Sequence, residues 1–266
     1  MMRRFRILFL LLILPAASAA QVSYTISDFE PVGFQFALDG QTLADAEVFQ
    51  SRAAGAFLIM ASDLPAPVVV RLRDGQVVTA NLMKINRNGD GTVELLSDFT
   101  LAPQGTFKLT ADRTGVEFAV DGRAASLREK PPLLGLQDIA RLEEHSPEYR
   151  RSAESYKPSD PILGKLRDQG QDVQVTVYFG SWCGACKQMV PLIMKVAERL
   201  EGSKVRFDFY GLPPGIEGDP EAGKVGVHSV PTGVIYVDGE EVGRIEGAGW
   251  KVPELALNNL LVDSSS

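Results

Sequence analysis

The sequence contains only two cysteines, Cys183 and Cys186, and they are separated by two residues. A C-x-x-C pair closes a loop too short to constrain the unfolded chain much. A protein that relies on disulfides for stability distributes its cysteines along the chain. The spacing therefore predicts redox chemistry, namely thiol–disulfide exchange. A metal site and a purely structural disulfide are the alternatives, and the only two histidines, His145 and His228, are not at zinc-finger spacing.

The residues around the cysteines predict that Cys183 begins a helix. Val173–Phe179 is β-branched and apolar, as in a buried strand, and residues 187–200 have helical periodicity. The unpaired N–H groups and the dipole of a helix N-terminus favour an anion there, so we expect a stabilised Cys183 thiolate. Cys186 lies one turn further along and should be shielded. Cys183 is thus predicted to attack a partner disulfide and Cys186 to resolve the mixed disulfide.

A second element lies about 45 residues downstream, at Ser229-Val230-Pro231-Thr232. An X-Pro bond at the start of a strand that faces a redox pair is a candidate cis peptide. It would leave the Val230 backbone free to pair with a substrate peptide. Trp182 is predicted to cover the redox pair and to contact substrate, with simple packing as the alternative; a structural role is expected for Trp250.

Residues 160–264 resemble the thioredoxin superfamily on four elements in the correct order. These are Trp182-Cys183-Gly184-Ala185-Cys186-Lys187, with Ala185 where thioredoxin has proline, then Pro191, Val230-Pro231-Thr232, and the hairpin formed by Asp238-Gly239 and residues 242–247. The resemblance implies an α/β thioredoxin fold in which Cys183 and Cys186 react. It implies no organic cofactor and no metal. Gly184, Ala185, Lys187 and Pro191 match supporting positions of the motif.

One position departs from the family pattern. Thioredoxins carry a buried acid six residues before the first cysteine, where it helps deprotonate the second, and this chain has Val177 there. A valine cannot accept a proton, so that step needs another group or water. Arg206 and Asp208 share one face of the next predicted strand, residues 205–210, but the sequence does not fix its register. His228 either tunes the cysteines or is an ordinary surface histidine.

The first 20 residues have the pattern of a signal peptide. Arg3, Arg4 and Arg6 precede an apolar stretch at residues 7–14, and residues 17–19 form a small-x-small cleavage site. An uncleaved anchor is the alternative. Removal of the signal peptide, with its three arginines, would change the net charge from −7 to −10. This negative charge argues against nucleic acid and anionic membrane surfaces as partners. With this signal, the chain resembles bacterial periplasmic thiol–disulfide oxidoreductases, so a periplasmic or secreted location is expected.

Residues 21–130 are predicted to form a mainly-β domain, either a sandwich or a barrel. Short β-rich segments alternate with turns at Asp74-Gly75 and Asp121-Gly122, and a short helix is predicted near residues 44–54. Residues 86–91 imitate half of an EF-hand loop but favour a hairpin turn, because position twelve is Ser97. This domain has no cysteine, so we expect it to position a partner or to form a homodimer, with an inert spacer as the alternative.

Residues 131–159 are predicted to be a helical connector. Pro131-Pro132 ends the preceding strand, and Ser146-Pro147-Glu148 begins a helix, with Ser146 as N-cap and Pro147 as its first residue. Asp160-Pro161 repeats this signal and opens the thioredoxin-like domain of residues 160–264. His145, in the connector, is expected to be solvated.

These features together predict an exported thiol–disulfide oxidoreductase that acts on protein thiols and disulfides. Gly184-Ala185 resembles reducing members of the family more than strong oxidants, so a reductase is favoured. A membrane-bound redox partner is a further expectation. The alternative is a thioredoxin-fold binding or scaffold protein that recruits a partner through the β domain.

Overall fold

The structure is a computed structural model that describes residues 29–95 and 101–264, so the predicted signal peptide lies outside the described residues. The N-terminal half consists almost entirely of strands. Their bounds are β1 (Glu30–Pro31), β2 (Phe34–Leu38), β3 (Gln41–Thr42), β4 (Glu47–Ser51), β5 (Ala56–Met60), β6 (Val68–Arg71), β7 (Gln76–Ala80), β8 (Ile85–Arg87), β9 (Val93–Leu95), β10 (Leu101–Thr106), β11 (Lys108–Leu109), β12 (Gly115–Val120) and β13 (Arg123–Glu129). One turn of 3₁₀ helix covers Leu82–Lys84.

These strands form a β-sandwich, the first of the two predicted architectures. A six-stranded sheet of order β1-β4-β5-β6-β7-β10 faces a five-stranded sheet of order β11-β12-β13-β2-β3. Apolar side chains of both sheets meet between them, among them Phe36, Ile59, Val70 and Leu127. The hairpin of β8 and β9 lies on the other side of the six-stranded sheet, where Val93 and Leu95 join Leu58 in a second core. Strand β5 is therefore buried on both faces, which explains its unbroken apolar run.

The helix predicted near residues 44–54 is wrong, because this segment contains strand β4. The strand pairs with β1 and β5. Val48 packs into the core between the sheets, and its neighbour Phe49 packs into the second core on the opposite side. Successive side chains point to opposite faces only in a strand, so two separate apolar cores override the local helical pattern.

The predicted turns are confirmed. Asp121 and Gly122 both have positive φ, 48° and 77°, and join β12 to β13, as a two-residue hairpin requires. Asp74-Gly75 joins β6 to β7. Residues 86–91 belong to the β8–β9 hairpin, where Asn88 Nδ2 donates to Thr92 Oγ1 at 2.9 Å, so a hairpin is the correct interpretation.

The C-terminal half alternates strands and helices around one sheet. Its elements are β14 (Gly135–Gln137), α1 (Ile139–His145), α2 (Glu148–Ser155), α3 (Asp160–Arg167), β15 (Val173–Phe179), α4 (Gly184–Arg199), β16 (Val205–Gly211), α5 (Pro220–Val225), β17 (Thr232–Val237), β18 (Glu240–Glu246) and α6 (Pro253–Ser264), with 3₁₀ turns at Ile216–Gly218 and Gly247–Lys251. The sheet order is β14-β16-β15-β17-β18, and only β15 and β16 run parallel. This is the thioredoxin fold that the sequence predicts.

The larger core of this half lies on one face of the sheet, beneath helices α3, α4 and α6. It contains Leu163, Ile193, Trp250 and Leu257, together with Cys186. The opposite face carries a smaller cluster that includes Tyr178, Val234 and Ala222 of α5. The cysteine pair is therefore tied to the larger core.

The connector between the halves does contain two helices, but it packs as part of the C-terminal core. Strand β14 pairs with β16, with Gly135 opposite Gly211. Leu142 of α1 and Tyr149 of α2 are fully buried in the core that holds Cys186. Helix α2 begins at Glu148 with Pro147 before it, one residue later than predicted. The boundaries at residues 131 and 160 remain predictions.

The β-sandwich contacts the C-terminal half close to the cysteines. Lys187, which follows Cys186, pairs with Glu129 at the end of β13, Nζ to Oε1 at 3.2 Å. The backbone N–H of Gly33 donates to Glu148 Oε2 at 3.2 Å. Among the described residues, no helix is both long and apolar enough to cross a membrane.

Candidate functional site

The first cysteine caps helix α4. Strand β15 ends at Phe179, a short loop follows, and Cys183 is the N-cap of α4 with extended backbone angles. The backbone N–H of Cys186 donates to Cys183 Sγ at 3.3 Å. The sulfur thus occupies the position where a helix N-terminus stabilises negative charge, which is the placement predicted for Cys183.

The two thiols differ in exposure. Both are free thiols, and Cys183 is partly exposed whereas Cys186 is completely buried. Burial raises the pKa of Cys186 well above its ordinary value, and the N–H of Gly180, 3.4 Å from Cys186 Sγ, offsets only part of this rise. Cys183 is accordingly the thiol that a partner can reach, while Cys186 rests as a protonated thiol.

The proline element lies directly beside the first cysteine. The Val230–Pro231 peptide bond is cis. The Cys183 thiol points at Val230 O, with Sγ 3.7 Å from the carbonyl oxygen. Val230 is half-buried, and its backbone N–H has no hydrogen-bond partner among the described residues. This backbone is therefore positioned to pair with an extended peptide that approaches Cys183.

Trp182 forms one wall of the site. Its indole Nε1 donates to Leu212 O at 2.9 Å, and the side chain is half-buried. A Cβ at Gly180 would lie 2.5 Å from Trp182 Cε2, so glycine is required there for the ring to pack over the loop. Contact between Trp182 and a substrate stays a prediction. Trp250 is fully buried against Gly233 of β17, in agreement with a structural role.

The remaining motif positions divide between surface and core. Gly184 and Ala185 are exposed in the first turn of α4, whereas Pro191 is buried within the helix. Lys187 is half-buried and forms the contact with Glu129 described above. Gly184-Ala185 therefore lies where an incoming partner would meet the pair.

The structure leaves the position of the family's acid without a carboxylate. Val177 is completely buried in β15 on the core face that contains Cys186. Asp208 neighbours Phe209, which points into that core, so Asp208 points to the opposite face, where it accepts from Gln174 Nε2 at 2.7 Å. Arg206 is exposed and pairs with Asp172. Neither Arg206 nor Asp208 replaces the missing acid.

Tyr149 is a buried residue of the connector that no sequence motif indicates. This residue of α2 is 1% exposed, and its hydroxyl makes no hydrogen bond among the described residues. Tyr149 belongs to the same buried core as Cys186. The hydrophobic period of the connector marks Tyr149 as a core residue, but only the packing of α2 on α4 brings it to the cysteines.

The two histidines have different surroundings. His228 is exposed, three residues before Pro231. The expectation of a solvated His145 is wrong, because this ring is buried and lies 2.9 Å both from Ser146 Oγ and from Pro131 O. Burial lowers the pKa of His145 below its ordinary value. Within the described ranges, no group of three or more His, Cys, Asp or Glu side chains is arranged to hold a metal ion.

Comparisons with known proteins indicate the family of the C-terminal half. The family described as Thioredoxin matches residues 165–257. Thioredoxin-2 of Saccharomyces cerevisiae is 38% identical over 79 residues, which cover 30% of this chain and 71% of that protein. Thioredoxin 1 of Nostoc sp. is 32% identical over 95 residues, 34% of this chain and 78% of that protein.

Among solved structures, mitochondrial thioredoxin 3 of Saccharomyces cerevisiae is similar at 25% identity. The match covers 42% of this chain and 98% of that one, with a TM-score of 0.28.

Proposed function

Because this chain belongs to the thioredoxin family through its C-terminal domain, we propose that it is an exported thiol–disulfide oxidoreductase whose Cys183–Cys186 pair exchanges with protein partners. The observation that carries this proposal is the position of Cys183 Sγ. It accepts a hydrogen bond from the Cys186 N–H at 3.3 Å and lies 3.7 Å from the carbonyl oxygen of Val230. The same sulfur is therefore next to a donor that stabilises a thiolate and next to a residue whose backbone N–H has no partner among the described residues.

The reaction consists of two balanced exchanges. The Cys183 thiolate attacks one sulfur of a partner disulfide, a Cys183–partner bond forms, and the other partner sulfur leaves as a thiolate. Cys186 then loses its proton and attacks Cys183 Sγ. The Cys183–Cys186 disulfide forms, and the partner leaves with both sulfurs reduced. A dithiol donor must next reduce the oxidised pair, and this is the place for the predicted membrane-bound redox partner.

We expect substrate recognition through the backbone of Val230, whose N–H has no hydrogen-bond partner among the described residues. An extended peptide can pair with the backbone of Val230, while the half-buried Trp182, next to Cys183 in the chain, offers an apolar surface for contact. Recognition through backbone groups tolerates many side chains, so the proposed substrates are segments of proteins that carry an accessible disulfide.

The proposal includes the direction of exchange and the cellular location that the sequence predicts. The exposed Gly184-Ala185 pair resembles reducing members, so we expect a reductase of the periplasm or of the secreted fraction. The reduction potential of the pair measures the direction: a value near that of a strong oxidant would reverse this part of the proposal. The homodimer and the membrane-bound partner stay predictions.

A second candidate role, recruitment of a partner by the β-sandwich, rests on one contact. Glu129, at the end of β13, pairs with Lys187, next to Cys186, so a protein that binds the sandwich near the end of β13 is held close to the redox pair. This role is compatible with exchange chemistry. A chain that only recruits partners would bind them without forming a mixed disulfide.

The test is a pair of matched serine variants. Cys186→Ser should accumulate mixed disulfides between Cys183 and partner proteins, because no thiol remains to resolve them. Cys183→Ser should accumulate none and should fail to reduce a model protein disulfide. Non-reducing electrophoresis of purified protein incubated with extracted periplasmic proteins shows both results. If Cys183→Ser traps partners and Cys186→Ser does not, the assigned roles are reversed.

A further inference from the structure

Helix α5, six residues long, covers only part of the sheet face opposite Cys186. On the uncovered part, Gln174 is exposed and Thr176 is half-buried, although both belong to the central strand β15. A cavity of about 780 Å³ lies on this face and extends from α5 to the turn between β17 and β18 at Gly239. Its volume is in the range of ligand sites in proteins.

Three tyrosines, Tyr178, Tyr210 and Tyr236, line this cavity, which we call the tyrosine cavity. Tyr178 and Tyr210 are neighbours on β15 and β16, and their ring centroids are 5.5 Å apart. Tyr178 is only 3% exposed, and burial raises its pKa to about 12, so the phenol stays neutral. None of the three hydroxyls makes a hydrogen bond with another residue that the structure describes. Because a buried tyrosine hydroxyl usually has a partner, these hydroxyls point to a ligand.

The charges around the tyrosine cavity are unbalanced. The charged residues that line it are Asp208, Glu221, Glu241 and one cation, Lys224. Arg244 engages Glu241 through hydrogen bonds of 2.7 and 3.1 Å, and Lys224 lies 3.9 Å from Glu221. Asp208 has no cationic partner in the described part of the chain, since its Oδ2 accepts only from Gln174 Nε2 at 2.7 Å. The cavity therefore offers a carboxylate that a bound cation would neutralise.

Aromatic faces, hydroxyl oxygens and a carboxylate together favour an organic cation. A cation is attracted to the face of a tyrosine ring, and phenol oxygens accept hydrogen bonds from its N–H groups. A guanidinium suits this set better than an ammonium, because it is planar, stacks on aromatic rings, pairs with carboxylates through two N–H groups and is less strongly hydrated.

The rim of the tyrosine cavity indicates that the cation belongs to a protein. Leu136 of β14 also lines the cavity, and it is 70% exposed. A free small cation gains nothing from an exposed leucine, whereas a protein surface can cover it with apolar side chains. Arginine is also one of the residues that most often dominate the affinity of protein interfaces.

We propose that the tyrosine cavity receives an arginine side chain of a partner protein, with its guanidinium on the ring of Tyr210 and paired with Asp208, and with neighbouring apolar residues of the partner against Leu136. The two anchoring side chains lie two residues apart on the same face of β16. The inference goes beyond the proposed function and does not depend on it, because this face of the sheet is opposite the core that contains Cys186.

The test is a titration of the full chain with short peptides, followed by nuclear magnetic resonance. The probe is acetyl-Gly-Leu-Arg-Leu-Gly-amide, and its control carries citrulline, which has nearly the shape of arginine but no charge. The arginine peptide should shift the signals of the tyrosine cavity and bind about tenfold more tightly than the control, as expected for a hydrogen bond to a charged group. Butylguanidinium, which has no leucines, should bind more weakly than the arginine peptide.

Matched variants locate the binding. Asp208→Asn should weaken the arginine peptide about tenfold, whereas Asp168→Asn, which removes an exposed carboxylate at the end of α3, should not. Tyr210→Leu should weaken it about threefold or more, and Tyr210→Phe, which keeps the ring, should restore most of the loss. Cys183→Ser should bind like the wild-type protein, so this result and the test of the proposed function are independent.

Four outcomes would overturn the inference. Absence of binding at millimolar arginine peptide would show that the cavity holds no such side chain. Equal affinity for the arginine and citrulline peptides would show that no cation is recognised. Equal weakening by Asp208→Asn and Asp168→Asn would indicate a general attraction of the acidic chain for cations. Butylguanidinium that binds as tightly as the arginine peptide would make the cavity a site for a free small cation instead of a protein partner.

Discussion

Replacing Val177 with aspartate tests whether the apolar surroundings of Cys186 limit resolution. Val177 is completely buried in β15 on the face that carries Cys186, and burial raises the pKa of Cys186 well above its ordinary value. A carboxylate at this position would accept the Cys186 proton as a general base. With a chromogenic aryl disulfide, attack by Cys183 releases one coloured thiolate in a first phase, and resolution by Cys186 releases another in a second phase. A general base contributes about 10²-fold at the lower end of its usual range, so we expect the second phase to accelerate about 10²-fold.

The same substitution should reduce stability, by an amount that depends on pH. Complete burial raises a carboxyl pKa by about 3 units or more, and each unit corresponds to about 1.4 kcal/mol. The folded-state pKa of the new aspartate would lie above its unfolded value of about 3.9. Its ionisation therefore favours unfolding, and stability falls as the pH rises through this interval, with a full cost of about 4 kcal/mol above the folded-state pKa.

The assay combines stopped-flow kinetics of the two phases with denaturant unfolding of the reduced protein at acidic and at alkaline pH. Val177→Asn is the matched control, since asparagine has the shape of aspartate but cannot accept a proton. The aspartate variant should accelerate the second phase and lose stability with rising pH, and the asparagine variant should do neither.

Three results would refute this reasoning. If Val177→Asn accelerates the second phase as much as Val177→Asp, polarity and not proton acceptance limits the step. If the stability of Val177→Asp does not fall with rising pH, the new carboxylate is solvated, and the position is not part of the dry core that contains Cys186. An unchanged second phase would mean that water or another group already removes the proton at full rate.

The remaining predictions concern the connector. Glu254 is buried at the start of α6 and accepts hydrogen bonds from Tyr156 OH at 2.7 Å and from Ser159 N at 3.0 Å. Glu254→Ala should therefore lower the free energy of unfolding by about 2–4 kcal/mol in denaturant titrations, and Glu254→Gln should lower it by less. A fragment of residues 131–266 should unfold cooperatively and keep exchange with a small disulfide, whereas a fragment of residues 158–266 should not; circular dichroism melts distinguish the two.

The sequence predicted those parts of the fold that depend on local chemistry. Turns such as Asp121-Gly122 and Asp238-Gly239 require positive φ, which their residue types tolerate, and both occur as predicted. The strand–loop–helix around Cys183 and the cis bond before Pro231 likewise follow from short motifs. In each case the signal lies within a few residues of the feature, so no knowledge of distant contacts is needed.

The features that escaped prediction depend on contacts distant in sequence. Val48 and Phe49 form a strand because two cores lie on opposite sides of it. His145 is buried because Pro131 O, fourteen residues earlier, accepts its hydrogen bond. Tyr149 joins the core that contains Cys186 only through the packing of α2 on α4. Asp208 cannot replace the family's acid for the same reason, since the register of β16 places its side chain on the face of the sheet opposite Cys186.

The packing of the connector explains why a fragment that begins at residue 158, just before the predicted boundary at residue 160, should not fold. Leu142 and Tyr149 are at most 1% exposed, and Leu133 is 7% exposed, all in the core that contains Cys186. Loss of one large buried side chain typically costs about 2–5 kcal/mol, so losing all three removes much of the ~5–15 kcal/mol that keeps an ordinary domain folded. The cut also removes β14 from the edge of the sheet and the bond from Leu133 N to Ser181 Oγ at 3.0 Å. A fragment of residues 158–266 that melts cooperatively at the temperature of the longer fragment would show that these contacts add little, and that the connector is a separate arm.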